Sequence, residues 1–278
     1  MRLVTTSRFA PSPTGLLHLG HAYSAVLAAQ SGRFLLRIED LDLPRSRPEF
    51  IAAIDEDLAW LGLIPAEPPL IQSERSDIYA VALDRLRANG LAYPCYCTRA
   101  DIAAALNAPH GETIHYPGTC RALPDDPARR ASTPHSWRLD VDKALARTSL
   151  PSWREGDSLH TATRENLDDI ILARKDAPAA YHLACVIDDA ACSVTLVTRG
   201  VDLRPSTPVQ RLLQNLLDLP EPTYRHHPLV THTDGRRLAK RDHAPTLAAM
   251  RAAGVDGPSL AADLVTHRLP LGFAFAHA

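Results

Sequence analysis

An α/β fold built around a parallel sheet is what the order of apolar segments predicts, on three observations. A short apolar strand at 7–10 runs through Pro11, Ser12, Pro13, Thr14 and Gly15 into an alanine-rich helix that begins near Gly20 and His21. A second apolar run at 32–39 precedes a segment at 49–61 whose Phe50, Ile54, Leu58 and Leu61 repeat at helical spacing. Strand, helix, strand, helix in succession calls for parallel neighbours, because a crossover long enough to hold a helix returns the chain in the same direction.

The later elements follow from the same patterns. A helix is predicted over 76–88 from Ile78, Val81, Leu83 and Leu86, with Gly90 where it should stop. Between 94 and 166 the character changes to closely spaced cysteines, a Thr98/Asp101 capping signal, proline-rich turns and a strand at 136–141, which reads as an insertion into the α/β domain. Alternation returns with a strand at 169–174, a helix at 179–186, a strand at 193–198 and a helix at 208–217, expected to resume the parallel sheet. Thr233, Asp234, Gly235 and Arg236 give a hairpin-type turn, and two short helices at 245–253 and 259–268 finish the chain. The expected organisation is an α/β domain in two halves, 1–93 and 167–241, split by the insertion at 94–166 and followed by a short helical segment at 242–278.

Composition narrows the partners. Thirty basic against thirty-two acidic residues among 278 give a net charge of -2, which removes the simplest electrostatic case for a nucleic-acid binder while leaving room for a local basic face. No run approaches the roughly 18 apolar residues of a membrane helix, and the first residues lack the apolar centre of a signal peptide. A cytoplasmic protein without a membrane partner is expected. Of five cysteines, Cys95, Cys97 and Cys120 lie close in sequence while Cys185 and Cys192 stand apart, a spacing that suits reduced thiols or a metal rather than a disulfide framework.

Two constellations carry chemistry. His18, Leu19, Gly20 and His21 fall where the first strand turns into the first helix, so backbone N–H groups and two imidazoles converge where a phosphate or a developing negative charge would be welcome; a plain helix cap is the structural alternative. Cys95, Cys97 and Cys120 offer three soft sulfur ligands for a tetrahedral Zn²⁺ that would staple a small insertion, with Tyr116, His110 and His115 as candidates for the fourth position. Cys185 and Cys192 read as ordinary buried thiols.

The run from Arg8 to Gly15, the His18 to His21 tetrapeptide and the segment Arg37, Ile38, Glu39, Asp40, Leu41, Asp42 come in an order that resembles the glutamyl and glutaminyl branch of the class I aminoacyl-tRNA synthetases. The resemblance continues through Tyr181 and His182, Asp188 and Asp189, Thr198 to Asp202, and Ser206 to Pro208, covering most of 7–245. It implies a Rossmann-like catalytic domain in which His18, Gly20, His21 and Lys240 bind ATP with its Mg²⁺, and His18, His21 and Lys240 stabilise the phosphate during transfer. The second family signature, Lys-Met-Ser-Lys-Ser, corresponds to Arg237, Leu238, Ala239, Lys240 and Arg241, where Arg237 replaces a lysine and Ala239 removes a hydroxyl. Such cations would close over ATP and stabilise the departing pyrophosphate.

For L-glutamate, the resemblance implies a pocket made by Arg8, Phe9, Ala10, Pro11 and Ser12 together with Glu39, Tyr181 and Arg199. Glu39 would take the ammonium, Tyr181 would line the pocket, and Arg8 or Arg199 would clamp the side-chain carboxylate through its planar guanidinium. The resemblance also favours Tyr116 as the fourth zinc ligand, because the short glutamyl-Q tRNA(Asp) synthetases of this family carry Cys-x-Cys and Tyr-x-x-x-Cys at this place. The sequence continues only 38 residues past Lys240, and with Asp242, His243, Ala244 and Pro245 this points to that short branch, without an anticodon-binding domain. The expected activity is ATP-dependent activation of glutamate and its transfer to queuosine in the anticodon of tRNA(Asp). Alternatives are a truncated enzyme that charges a tRNA 3′ end and a non-catalytic tRNA-binding or amino-acid-sensing module.

Overall fold

The structure, a computed structural model, describes residues 4–98, 100–102, 116–238 and 245–276. Its first part contains β1 (Thr6–Phe9), α1 (Leu19–Ala29), β2 (Arg33–Ile38), α2 (Pro48–Trp60), β3 (Leu70–Ile71), α3 (Ser76–Ala88) and β4 (Ala92–Cys95). Next come α4 (Pro127–Ser132), β5 (Ser136–Leu139), α5 (Val141–Leu145), β6 (Ser152–Glu155), β7 (Ser158–Thr161) and β8 (Ile171–Ala173). The remainder is α6 (Tyr181–Ala191), β9 (Leu196–Gly200), α7 (Thr207–Leu216), β10 (Thr223–His227), β11 (Val230–His232), α8 (Leu247–Ala252), α9 (Gly257–Val265) and β12 (Phe273–Phe275).

Parallel pairing dominates, as the segment order requires. Strands β1, β2 and β3 form one parallel group, while β9, β10 and β6 form a second, with β7 folding back antiparallel onto β6. The groups meet along β1 and β9, where Thr195 N donates to Thr6 O at 3.0 Å and Ser7 Oγ to Thr198 Oγ1 at 3.3 Å. Chain connections from β1 and β9 depart to opposite sides of this seam, so a crevice opens at the carboxyl ends of the two strands. One apolar core lies around α1, β2 and α2, closed by α8 and α9; the other lies under α6 and α7.

Local chemistry accounts for the boundaries. Pro48 at the first turn of α2 supplies a preset φ where no N–H bond is needed. Gly32, at φ +136, admits no side chain because a Cβ would sit 2.4 Å from Thr5 O, so the turn into β2 depends on glycine. Helix α3 spans its predicted range, and Thr98 and Asp101 form the reciprocal cap, with Asp101 N donating to Thr98 Oγ1 at 3.1 Å and Thr98 N to Asp101 Oδ2 at 2.7 Å.

Three expectations are corrected. The strand expected at 169–174 does not resume the parallel sheet: β8 pairs antiparallel with β5, which pairs with β4. The β6–β7 hairpin, from the stretch read as insertion, joins the main sheet instead through Tyr224 opposite Glu155. A three-residue apolar run marks a strand but carries no information about its partner. The helix expected at 179–186 continues to Ala191, because Asp188 and Asp189, which interrupt the apolar pattern, are buried against cationic partners rather than ending the helix.

Candidate active site

The crevice at the ends of β1 and β9 is a cavity of about 600 Å³. Arg8, Phe9, Ala10, Pro11, Ser12, His18, Gly20, His21, Glu39, Tyr181 and Arg199 all line it, so every described residue expected to meet glutamate or ATP shares one wall-to-wall space. Lys240 lies outside the described residues. Its flanks are within them: Arg237 and Leu238 line the cavity, and beyond the signature Leu247 N donates to Leu17 O at 2.9 Å beside the start of α1.

The two histidines cap α1 reciprocally. His18 Nδ1 accepts from Gly20 N at 3.1 Å, and His21 Nδ1 accepts from His18 N at 3.1 Å. Each acceptance requires a lone pair on Nδ1, so the neutral rings carry their protons on Nε2, as donors suited to an anionic oxygen. The capping bonds use Nδ1 of each ring, so capping is compatible with contact between Nε2 and an anionic oxygen. Gly20 belongs to the cap, since a Cβ there would press to 3.1 Å from the His18 ring.

On one side of the cavity, buried charges form a chain. Asp189 receives Arg8 Nε at 2.8 Å and Arg37 Nη1 at 2.5 Å, and Arg37 Nη2 reaches Glu39 Oε1 at 2.9 Å. The Cys185 thiol lies 3.3 Å from both Arg37 Nη2 and Glu39 Oε1. Burial alone would raise the Asp189 carboxyl, but Arg8 and then Arg37 overcome it and hold it down to about 2. Glu39 is thus aimed by Arg37 through one oxygen, and among the described residues Oε2 has no partner, leaving it to receive a cation.

The other side holds Arg199 differently. Its Nη1 donates to Gln210 Oε1 at 2.7 Å, Nη2 to Thr207 Oγ1 at 2.8 Å and Nε to His226 Nε2 at 3.2 Å. All three acceptors belong to groups without a formal negative charge when His226 is neutral. Burial, with the Glu39 charge adding to it, pushes the Tyr181 phenol well above its ordinary range, so it remains a neutral donor between these two walls.

The three cysteines come together from the end of β4 (Cys95), the segment just after it (Cys97) and the turn after Tyr116 (Cys120). Sulfurs of Cys95, Cys97 and Cys120 all lie within 4.8 Å of one another, and the Tyr116 hydroxyl is 3.4 Å from Cys95 Sγ and 3.6 Å from Cys97 Sγ. Arg138 donates to Cys95 Sγ at 3.3 Å and lies 3.8 Å over the Tyr116 ring, a cation placed to offset the charge of bound thiolates. Burial pushes the Cys97 thiol up to about 11, so a metal binding here would displace protons. His110 and His115, the rival ligands, lie outside the described residues.

Residues 4–271 match the model of the catalytic domain of the class I tRNA synthetases (E and Q). The chain belongs to that family. Among the relatives of this chain, the glutamyl-Q tRNA(Asp) synthetase of Rhodobacter capsulatus is 44% identical over 264 residues, covering 89% of this chain and 95% of the relative. That of Nocardia farcinica is 46% identical over 272 residues, covering 95% and 84%. The solved glutamate-tRNA synthetase of Elizabethkingia anophelis superposes with a TM-score of 0.72 at 30% identity, over 86% of this chain and 53% of that one. The chain therefore spans about half the length of that solved enzyme. Among the described residues no helix is long and apolar enough to cross a membrane.

Arg37, Asp189, Cys185, Thr207, Gln210, Glu155 and His226 are given no place in the site by the sequence reading, although Arg37, Asp189 and Thr207 lie in the motifs that carry the resemblance and Cys185 reads as a buried thiol. A signal for two of them was present: Tyr181, Cys185 and Asp189 are four apart and share one helix face. Glu155 and His226 gave none, since they meet only through the pairing of β6 with β10.

Proposed function

We propose that this chain activates glutamate with ATP and transfers the glutamyl group to queuosine in the anticodon of tRNA(Asp), in the cytoplasm. The observation that carries this reading is the identity, over nearly their whole lengths, with relatives that bear the glutamyl-Q tRNA(Asp) synthetase name. The geometry supports the first half-reaction, because one cavity joins an ammonium acceptor, two guanidinium groups and the donor-rich start of α1.

In this reading Glu39 Oε2 takes the glutamate ammonium and Arg199 clamps the side-chain carboxylate, while Arg8 stays paired with Asp189. The α-carboxylate attacks the α-phosphate of ATP and pyrophosphate leaves; a queuosine hydroxyl then attacks the activated carbonyl, losing its proton as AMP departs. Mg²⁺ arrives with ATP. His18 and His21 meet the charge on the α-phosphate, joined by Lys240, so that positioning and charge stabilisation supply the rate. Cys95, Cys97, Cys120 and Tyr116 would hold one structural Zn²⁺, for which three thiols and a phenol within reach of one another are a fitting donor set. A folded Cys97→Ser variant is expected to lose stoichiometric zinc in elemental analysis.

The test is transfer of labelled glutamate to queuosine-containing tRNA(Asp) and to tRNA(Glu). Label confined to the anticodon fragment of tRNA(Asp) supports the proposal. Label at the 3′ end of tRNA(Glu) would make this a conventional charging enzyme, and no label together with no ATP–pyrophosphate exchange would make it a non-catalytic module.

A further inference from the structure

Arg199 is 4% exposed, and its orientation depends on who accepts its hydrogens. The Thr207 hydroxyl accepts Arg199 Nη2, so its own single hydrogen is available for His226 Nε2, 3.2 Å away. Arg199 Nε–H points at the same nitrogen from 3.2 Å. Both bonds need a lone pair on Nε2, which places the ring proton of a neutral His226 on Nδ1.

Glu155, on the neighbouring strand, enforces the same choice from the far side. Its Oε1 lies 3.1 Å from His226 Nδ1, close enough for its charge to act but outside hydrogen-bond geometry, and accepts the His226 backbone N–H at 3.2 Å. A bare lone pair on Nδ1 facing that carboxylate would be repelled, whereas an N–H is attracted. Arg204 Nη2 approaches Oε2 to 3.3 Å as an ion pair without hydrogen-bond geometry, and the Tyr224 ring lies nearly parallel to the imidazole, 10° apart in plane with centroids 6.0 Å apart.

We propose that Glu155 and His226 are positioning residues that lock the direction of the Arg199 guanidinium and thereby set the affinity for the substrate carboxylate. The inference rests on the reading of Arg199 as the carboxylate clamp. A ring protonated on Nε2 would set N–H against N–H and turn Arg199 away from Thr207 and Gln210. Burial, and then the Arg199 charge, bring His226 down to about 4, which keeps the ring neutral at ordinary pH.

ATP–pyrophosphate exchange at varied glutamate, run on the full chain, tests the proposal. His226→Phe keeps a ring against Tyr224 but removes the acceptor, and is expected to raise KM for glutamate roughly 10-fold or more with kcat little changed. His226→Gln restores a carbonyl acceptor and should bring KM back to within about threefold of wild type. Equal KM values for the two variants, or an unchanged KM in His226→Phe, would overturn the proposal. Should His226→Phe not fold, Glu155→Gln decides: an amide presents either a donor or an acceptor to Nδ1 and no longer selects the tautomer, so a severalfold rise in KM supports the relay and an unchanged KM overturns it. Arg199→Lys separates the two claims, since an unchanged KM there overturns the clamp itself, whereas a raised KM there beside normal His226 variants overturns only the relay.

Discussion

Arg8 and Arg199 line the same cavity, both almost fully buried, yet they are held in opposite ways. Arg8 is neutralised by Asp189, which it shares with Arg37, while the hydrogen-bond acceptors of Arg199 are an amide, a hydroxyl and an imidazole. A guanidinium bound to an internal carboxylate has already lost much of its attraction for a substrate; one held by neutral dipoles is oriented without being neutralised. On the proposed reading, the contrast gives the first wall chiefly to architecture and to the aim of Glu39, and the second to recognition of a carboxylate.

The largest effect expected from breaking this contrast is at Asp189. Asp189→Ala leaves two buried cations facing each other and should cost about 3–5 kcal/mol of stability by chemical denaturation. The sign of the pH dependence follows from its depressed carboxyl: the stabilisation is complete above about pH 4 and is lost as pH falls toward 2. Wild type should therefore lose stability over that window more steeply than a folded Asp189→Asn variant.

Arg199→Lys comes next and should behave in the reverse manner. Replacing a planar fork by a point charge is expected to raise KM for glutamate roughly 10- to 100-fold, while the denaturation midpoint falls less than in Asp189→Ala. The smallest effect is at Cys185, which touches both Arg37 and Glu39. Burial, and then the charge of Glu39, push this thiol well above its ordinary range, so it serves as a neutral spacer; Cys185→Ser should change stability by about 1 kcal/mol or less and leave KM within about threefold. A large KM change at Cys185 would show that the first wall also senses substrate directly.

Legibility in the sequence followed the same division. Residues that act through a local motif were readable: His18, Gly20 and His21 sit within four positions, and their placement at a strand-to-helix turn follows from the apolar pattern around them. The clustering of Cys95, Cys97 and Cys120 was readable from spacing, and the fold groups their sulfurs. What could not be read was pairing at long range. Asp189 meets Arg8 across 181 positions, and Glu155 meets His226 across 71, because strand neighbours are chosen by the whole sheet rather than by nearby residues. The reassignment of β8 and of the β6–β7 hairpin has the same origin: an apolar run specifies a strand, while its partner is decided by which surface is left to bury.

The most direct test of this division is a structure of the protein with L-glutamate bound. The account predicts the side-chain carboxylate on the Arg199 guanidinium and the ammonium on Glu39 Oε2, with the Arg8–Asp189–Arg37 chain undisturbed. A ligand turned end for end, with its ammonium beside Arg199, or a carboxylate that displaces Asp189 from Arg8, would contradict it.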